Sequence, residues 1–497
     1  MKRVPASPML GVLLATAVLP LFGGCTLGPD YKRPTLDMPA GFRDAGAASV
    51  GEGAAVAAAS SSSWANIPWW ELFRDPKLQD LIRIALAENQ DLLIAVERIV
   101  EAEARVGFVR ADLFPKVDAS LDAGRFEQSR EAFPNNPPPG SNDASLYNIG
   151  ASVTWEIDLF GRIRRSTESQ RAQLLATEEA RRAVAISLVA AVAGTYVDLR
   201  DADLRLEISR RTLESRAKAV DLTRVRFRGG LTSEKDPQQA EAEYRRVEVT
   251  VLRFEQLVRQ LENSLSVLVG RRPGDIVRGE PINKGVVGRF QIPAGLPSEL
   301  LDRRPDLLAA EQQLHSVTAN VGAAKALLFP RIALTADLGT SSTELDALFT
   351  GSSQAWSVAA GLLQPIFNAG KNLRRVDIAE SQMRQALYEY EKSVLQALRE
   401  VDDSLIGYRQ TGLARGAQSL RVQAERRVVQ LTMVRYEGGV TDYLEVLDAQ
   451  RSLFTAELDE VQTISANVGW LIQLYKALGG GWPTGPEAGA AAGERTS

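Results

Sequence analysis

The sequence predicts a mostly α-helical chain with a smaller, membrane-crossing β section, and three observations predict it. A unit of about 210 residues is written twice along the 497-residue chain. Each copy holds a proline-free run of 67 residues, far longer than the helices of a globular core. Each copy also holds two short segments that alternate apolar and polar residues in the period-two manner of strands.

The duplication is read directly from the residues. Residues 91–115 match residues 306–330 at a constant offset of 215, with eleven identities that include Asp-Leu-Leu at the start, Val-Gly in the middle and Leu-Phe-Pro at the end. Further on, residues 226–232 (RFRGGLT) match residues 435–441 (RYEGGVT) at an offset of 209. Two halves with one plan imply one pseudo-symmetric body.

At the N-terminus, Lys2 and Arg3 precede a charge-free, largely apolar stretch over residues 9–22. That stretch is shorter than the ~20 residues a bilayer-spanning helix needs, so residues 1–24 read as a secretory signal. Gly23 and Gly24 then lead into Cys25, the single cysteine of the chain. The arrangement resembles a bacterial lipobox, with Phe22 where Leu is usual, which implies cleavage before Cys25 and a lipid on its thiol. Thr26 follows where an inner-membrane lipoprotein would carry Asp, which implies sorting to the outer membrane.

One cysteine excludes a disulfide framework, and one histidine, His315, leaves little for a zinc site or a His-based triad. His315 reads as an ordinary helix-surface residue. No phosphate-binding glycine motif stands between a strand and a helix. With 58 basic and 62 acidic residues the formal charge is −4, which gives no basic footprint for nucleic acid.

The first strand pair is predicted over 115–125 and 147–159, joined by PNNPPPGSND, and the second over 330–340 and 354–367. Each strand has about the 9–11 residues that cross a bilayer as tilted β-structure. Four strands cannot close a barrel, and an open edge in lipid leaves unpaired amides at several kcal/mol each. Copies of the chain must therefore share one barrel, unless the pairs are soluble hairpins at the ends of helices.

The long helices are predicted over 161–227 and 370–436, each roughly 100 Å long at 1.5 Å per residue. A heptad column runs through Val192, Leu199, Leu206, Leu213, Val220 and Phe227; its duplicate runs through Val401, Tyr408, Arg415, Val422, Val429 and Tyr436, interrupted at the arginine. Such spacing calls for coiled-coil packing against neighbouring helices. After each long helix a glycine pair, Gly229–Gly230 and Gly438–Gly439, permits a left-handed cap. Return helices follow over 236–269 and 442–478. Two other readings share these features: a tethered coiled-coil scaffold lipoprotein, and a periplasmic adaptor, although adaptors place a single hairpin within a lipoyl-like β-domain.

Read end to end, the chain resembles the outer-membrane efflux channels of the TolC and OprM kind, on the NodT-like lipoprotein branch. The likeness is carried by residues 28–34 (GPDYKRP), WWELFRDPKLQDLI from Trp69, GLPSELLDRRPDL from Gly295, LFPRIALTA from Leu328, YLEVLDAQRSLF from Tyr443 and LYKALGGGW from Leu474. The resemblance implies a homotrimer whose twelve strands form one barrel in the outer membrane, continuing into a long periplasmic α-helical barrel. It implies a first repeat over 64–270, an equatorial linker over 271–305 and a second repeat over 306–478. A lipidated tether over 25–63 and a disordered tail over 479–497 flank them.

The function so implied is non-enzymatic: an exit channel of a tripartite efflux or secretion system, opened by a periplasmic adaptor coupled to an inner-membrane transporter of the RND type. It implies no cofactor beyond the lipid on Cys25. Leu444 and Asp448, spaced i, i+4 on the second return helix, match the family's apolar and carboxylate rings at the periplasmic mouth. Glu445 and Arg451 flank them as braces. Tyr436 and Asp236 match a latch between hairpins, although Lys235 departs from the family pattern there.

Overall fold

A computed structural model describes residues 26–43, 73–127, 143–282 and 297–480. The signal, Cys25, most of the tether, the loop of the first strand pair and the tail beyond 480 lie outside these residues. In chain order the elements are α1 (Pro76–Glu88), α2 (Gln90–Ala111), β1 (Lys116–Glu127), β2 (Asp143–Ile157), α3 (Arg162–Arg228) and α4 (Lys235–Leu268). They continue with α5 (Leu300–Arg303), α6 (Pro305–Ala326), β3 (Arg331–Ser342), β4 (Gln354–Leu363), α7 (Lys371–Glu437) and α8 (Tyr443–Ala477). The duplication persists in element lengths: α2 and α6 have 22 residues each, and α3 and α7 have 67 each. The offset drops from 215 to 209 because the segment between α6 and α7, which holds the second strand pair, is six residues shorter than that between α2 and α3.

Contacts divide the chain into two compact units, and both long helices begin in one and end in the other. The first unit contains an antiparallel sheet in the order β1-β2-β3-β4. Its register aligns Leu121 with Ile149, Ala151 with Leu338, and Leu338 with Trp356. Because side chains alternate across a strand, this register sorts residues by face. One face carries Val117, Leu121, Ile149, Val153, Leu334, Leu338, Trp356 and Val358; the other carries Asp118, Ser120, Asn148, Ser152, Thr335, Asp337 and Ser357. The apolar face is uncovered, with Leu121 75%, Leu338 66% and Trp356 78% exposed. β4 stops at Leu363, short of the expected 367, because Pro365 has no N–H to extend a ladder. β2 starts earlier than expected, at Asp143, paired with Glu127.

Aromatic rings gather where strands meet helices in this unit. Phe160 stacks on Phe329 at 4.9 Å between centroids, and Trp155 donates its indole N–H to the Leu113 carbonyl at 2.9 Å. Phe114, Ile366 and Phe367 stand exposed at the same junctions. The segment just after Cys25 is strapped onto this unit. Arg165, on the first turn of α3, donates to Asp30 at 2.6 Å, to Glu168 at 2.8 Å and to the Leu27 carbonyl at 3.1 Å. Tyr31 donates to Glu311 at 3.0 Å and stacks on His315 at 4.7 Å, and Arg33 reaches Glu311 at 2.7 Å. His315 thus differs from a plain surface residue: its ring lies half-covered between Tyr31 and Glu168.

The second unit is helical. The α3 column is buried at Val192, Leu199, Leu206 and Val220, but its last member, Phe227, is exposed at the hairpin end. Tyr196 donates to Asp75 at 2.7 Å and accepts from the Gly279 N–H at 2.8 Å, while Asp75 also caps α1 through Lys77. Buried Arg304 bridges Asp306 and Glu400 at 2.6 and 2.8 Å and donates to the Ala477 carbonyl at 3.0 Å. Where α7 crosses α8, the Trp470 ring occupies the space a Cβ on Gly407 would need. Gly407→Ala is therefore expected to destabilise the α7–α8 pair by about 1–3 kcal/mol through overpacking. Adding Trp470→Leu should restore most of that loss, which urea unfolding midpoints of the single and double variants will measure.

Candidate functional site

The hairpin turns of the second unit follow from backbone hydrogen bonding. In the first, Leu231 N–H donates to the Arg226 carbonyl and Gly230 N–H to Phe227, both at 2.9 Å; in the second, Val440 donates to Arg435 at 2.9 Å and Gly439 to Tyr436 at 3.1 Å. These are paired Schellman bonds, which need one left-handed residue after the helix. Gly230 at φ +70° and Gly439 at φ +73° supply it. The first glycine of each pair, Gly229 and Gly438, keeps a negative φ and continues the helical bonding.

Each turn then opens a return helix with the same device. Thr232 donates its hydroxyl to Asp236, and Thr441 donates to Glu445. The two pairs are related by the repeat offset of 209. Asp442 caps α8 by accepting from the Glu445 N–H at 3.2 Å, and Arg435 reaches Glu445 at 3.2 Å. Asp236 and Glu445 thus occupy equivalent positions in the two repeats, each bonded within its own turn.

Around them lies an apolar cluster of Val220, Ala240, Tyr436, Tyr443, Val446 and Leu447. Tyr436 packs on Tyr443 at 5.6 Å between ring centroids, and the Arg226 guanidinium sits over the Tyr436 ring at 4.6 Å. Burial pushes the Tyr443 phenol up to about 12. Leu444 and Asp448 stay outward on α8, the leucine 38% exposed and the Asp448 side chain 62%.

Arg451 makes a looser contact with Asp448, at 3.4 Å, than with Glu243 of α4, which it meets through both Nε, at 2.8 Å, and Nη2. Arg246 takes the other Glu243 oxygen at 2.8 Å. The Glu243 side chain is only 3% exposed, so this pairing joins the hairpin of one repeat to that of the other inside a helix seam. Sequence reading missed Glu243. The signal was present: the buried stripe Ala240, Val247, Val251, Val258 and Leu265 on α4 contains Glu243 and Glu262 at stripe positions, and a carboxylate in such a stripe requires a partner.

An uncovered two-faced sheet joined by long helices to paired hairpins defines a subunit of a membrane channel. The family model for outer membrane efflux proteins matches residues 81–271 and 296–480. A solvent efflux pump outer membrane protein, SrpC of Pseudomonas putida, is 38% identical over 93% of this chain and 98% of its own length. The cation efflux system protein CusC of Escherichia coli is 32% identical over 95% and 98%. The open-state MtrE outer membrane channel of Neisseria gonorrhoeae superposes with a TM-score of 0.80 at 32% identity, covering 92% of this chain and 98% of that one. The chain belongs to the outer membrane efflux protein family and is an outer-membrane exit channel.

Burial raises the Glu243 carboxyl, but hydrogen bonds from Arg451 and Arg246 more than reverse this and leave it below its ordinary value. A carboxyl lowered by folding adds stability above its unfolded value of about 4.5 and loses it as pH falls through the folded one. The link between the repeats is therefore expected to hold at neutral pH and fail only below about pH 4.5. Glu243→Gln should lower stability at pH 7 by roughly 1–3 kcal/mol and flatten the acid limb of a stability-against-pH curve.

Proposed function

We propose that three copies of this chain complete one twelve-stranded barrel, anchored by a lipid on Cys25 and gated at the hairpin tips. The observation that carries the proposal is the sheet: one face apolar and uncovered, the other polar, with both outer edges, β1 and β4, unpaired among the described residues. The alternation suits lipid on one side and a water-filled lumen on the other. Aromatic residues at the strand-to-helix junctions suit a membrane–water boundary. Neither a coiled-coil scaffold nor a soluble adaptor has use for such a sheet.

At the tips, symmetry-related Leu444 and Asp448 form successive apolar and carboxylate rings in this proposal. Arg451 is engaged chiefly by Glu243, so Asp448 is only loosely paired, and three such carboxylates crowded at a closed mouth repel one another and collect cations. Asp236 and Glu445 hold the turns in shape, and Tyr436 seats one hairpin on the other. Opening is a movement of the hairpins, favoured by a periplasmic adaptor that contacts the open arrangement more extensively than the closed one. The energy comes from an inner-membrane transporter of the RND type, and the chain itself performs no catalysis. Relatives are named for solvent and for cation efflux, which supports a passive duct whose cargo is chosen by the transporter.

Planar-bilayer recording of the purified protein tests this reading. The parent should give discrete cation-selective steps, and Asp448→Ala should raise conductance and weaken cation selectivity. Leu338→Arg, on the apolar face, should prevent insertion at a cost of about 2–4 kcal/mol, whereas Ser152→Arg on the polar face should insert normally. Equal insertion of both variants would count against the barrel, and an unchanged Asp448→Ala channel against the ring.

A further inference from the structure

Between α3, α7 and α8, within the second unit, lies a groove of about 530 Å3. Its walls carry three guanidiniums and one carboxylate: Arg211 and Arg216 from α3, Arg426 from α7 and Glu457 from α8. Arg211 lies 3.0 Å from one Glu457 oxygen and Arg426 2.9 Å from the other, so the single acid is taken by two of the three cations.

Arg216 is left over. It is 3% exposed, and its Nε has no hydrogen-bond partner among the described residues. The nearby carboxylate of Glu243 is already engaged by Arg451 and Arg246. Burial pulls the Arg216 guanidinium below its ordinary pKa, and the pull of Glu243 and Tyr443 does not make up for it. An uncompensated buried cation is costly unless a negative group reaches it. Ser215 and Gln450 line the same groove, and the Gln450 amide oxygen also lacks a hydrogen-bond partner among the described residues.

We propose that this groove is a binding site for a small oxyanion, a phosphate or carboxylate group, received by Arg216 and flanked by Arg211 and Arg426. The planar guanidinium fork matches the oxygens of such a group. The groove has the size of a small-molecule site, and the near-complete burial of Arg216 favours a compact ligand over a side chain from a folded partner. The cations exceed the carboxylate by two charges, which a dianion such as hydrogen phosphate balances. Bound there, it ties α3 of the first repeat to α7 of the second, and so favours the helix arrangement that holds the groove together.

Calorimetric titration of inorganic phosphate into the detergent-purified full-length protein at low ionic strength tests the site, with chloride at equal ionic strength as control. Saturable binding of one phosphate per chain is expected, weakened at least tenfold in Arg216→Met. In phosphate-free buffer Arg216→Met should unfold no earlier than the parent, because an unpaired buried charge has been removed. It should also lose the rise in unfolding temperature that phosphate gives the parent. The proposal is overturned if no saturable heat is seen, if chloride acts equally, or if Arg216→Met binds phosphate as the parent does. It is also overturned if that variant is less stable than the parent without phosphate, which would make Arg216 a structural partner instead.

Discussion

Backbone amides at the outer edges of a four-stranded sheet cannot face hydrocarbon, and the rest of the molecule depends on that constraint. Each unpaired N–H or C=O in lipid costs several kcal/mol, and among the described residues β1 and β4 each present an unpaired row of them. The pleat adds a second requirement, because an apolar face running from Val117 to Val358 across the register is stable only against lipid. A channel shared among copies meets both requirements at once. The long helices continue the duplicated plan, each starting a few residues after the second strand of its pair.

The two repeats agree where local chemistry governs and differ where the hairpins meet. Schellman turns at Gly230 and Gly439 and the Thr232–Asp236 and Thr441–Glu445 bonds are the same device written twice. The Glu243–Arg451 pairing has no such counterpart: one offset of 209 carries Glu243 to Ser452, and Arg451 back to Ala242. A chain with two hairpins in one protomer can therefore join them asymmetrically while keeping identical turns. That asymmetry leaves Asp448 only loosely paired, which is the electrostatic condition a carboxylate ring at the mouth requires.

Much of this was legible in the residues because it rests on periodicity. Proline-free runs, glycine pairs and period-two alternation are local signals, and they located the long helices, the turns and the four strands to within a few residues. Strand ends were less legible: β4 stops for Pro365, and β2 extends to Asp143 because Glu127 offers it a partner across the hairpin. Side-chain partnerships between distant segments were not legible. Nothing in the spacing of Arg451 separates Asp448, one turn away, from Glu243, 208 residues earlier. His315 was read as surface for the same reason, since its cover, Tyr31, lies in the strap after Cys25.

Disulfide trapping measures edge-to-edge pairing between copies directly. Cysteines introduced in pairs along β1 and β4, beginning with Ser120 and Ser357, and oxidised in intact outer membranes should cross-link separate chains where the register brings Cα atoms within about 4.4–6.8 Å. A shared barrel predicts a covalent ladder that ends at three chains, with neighbouring registers silent. Absence of any inter-chain product across a full scan of registers, with the protein folded and present in the membrane, would contradict it.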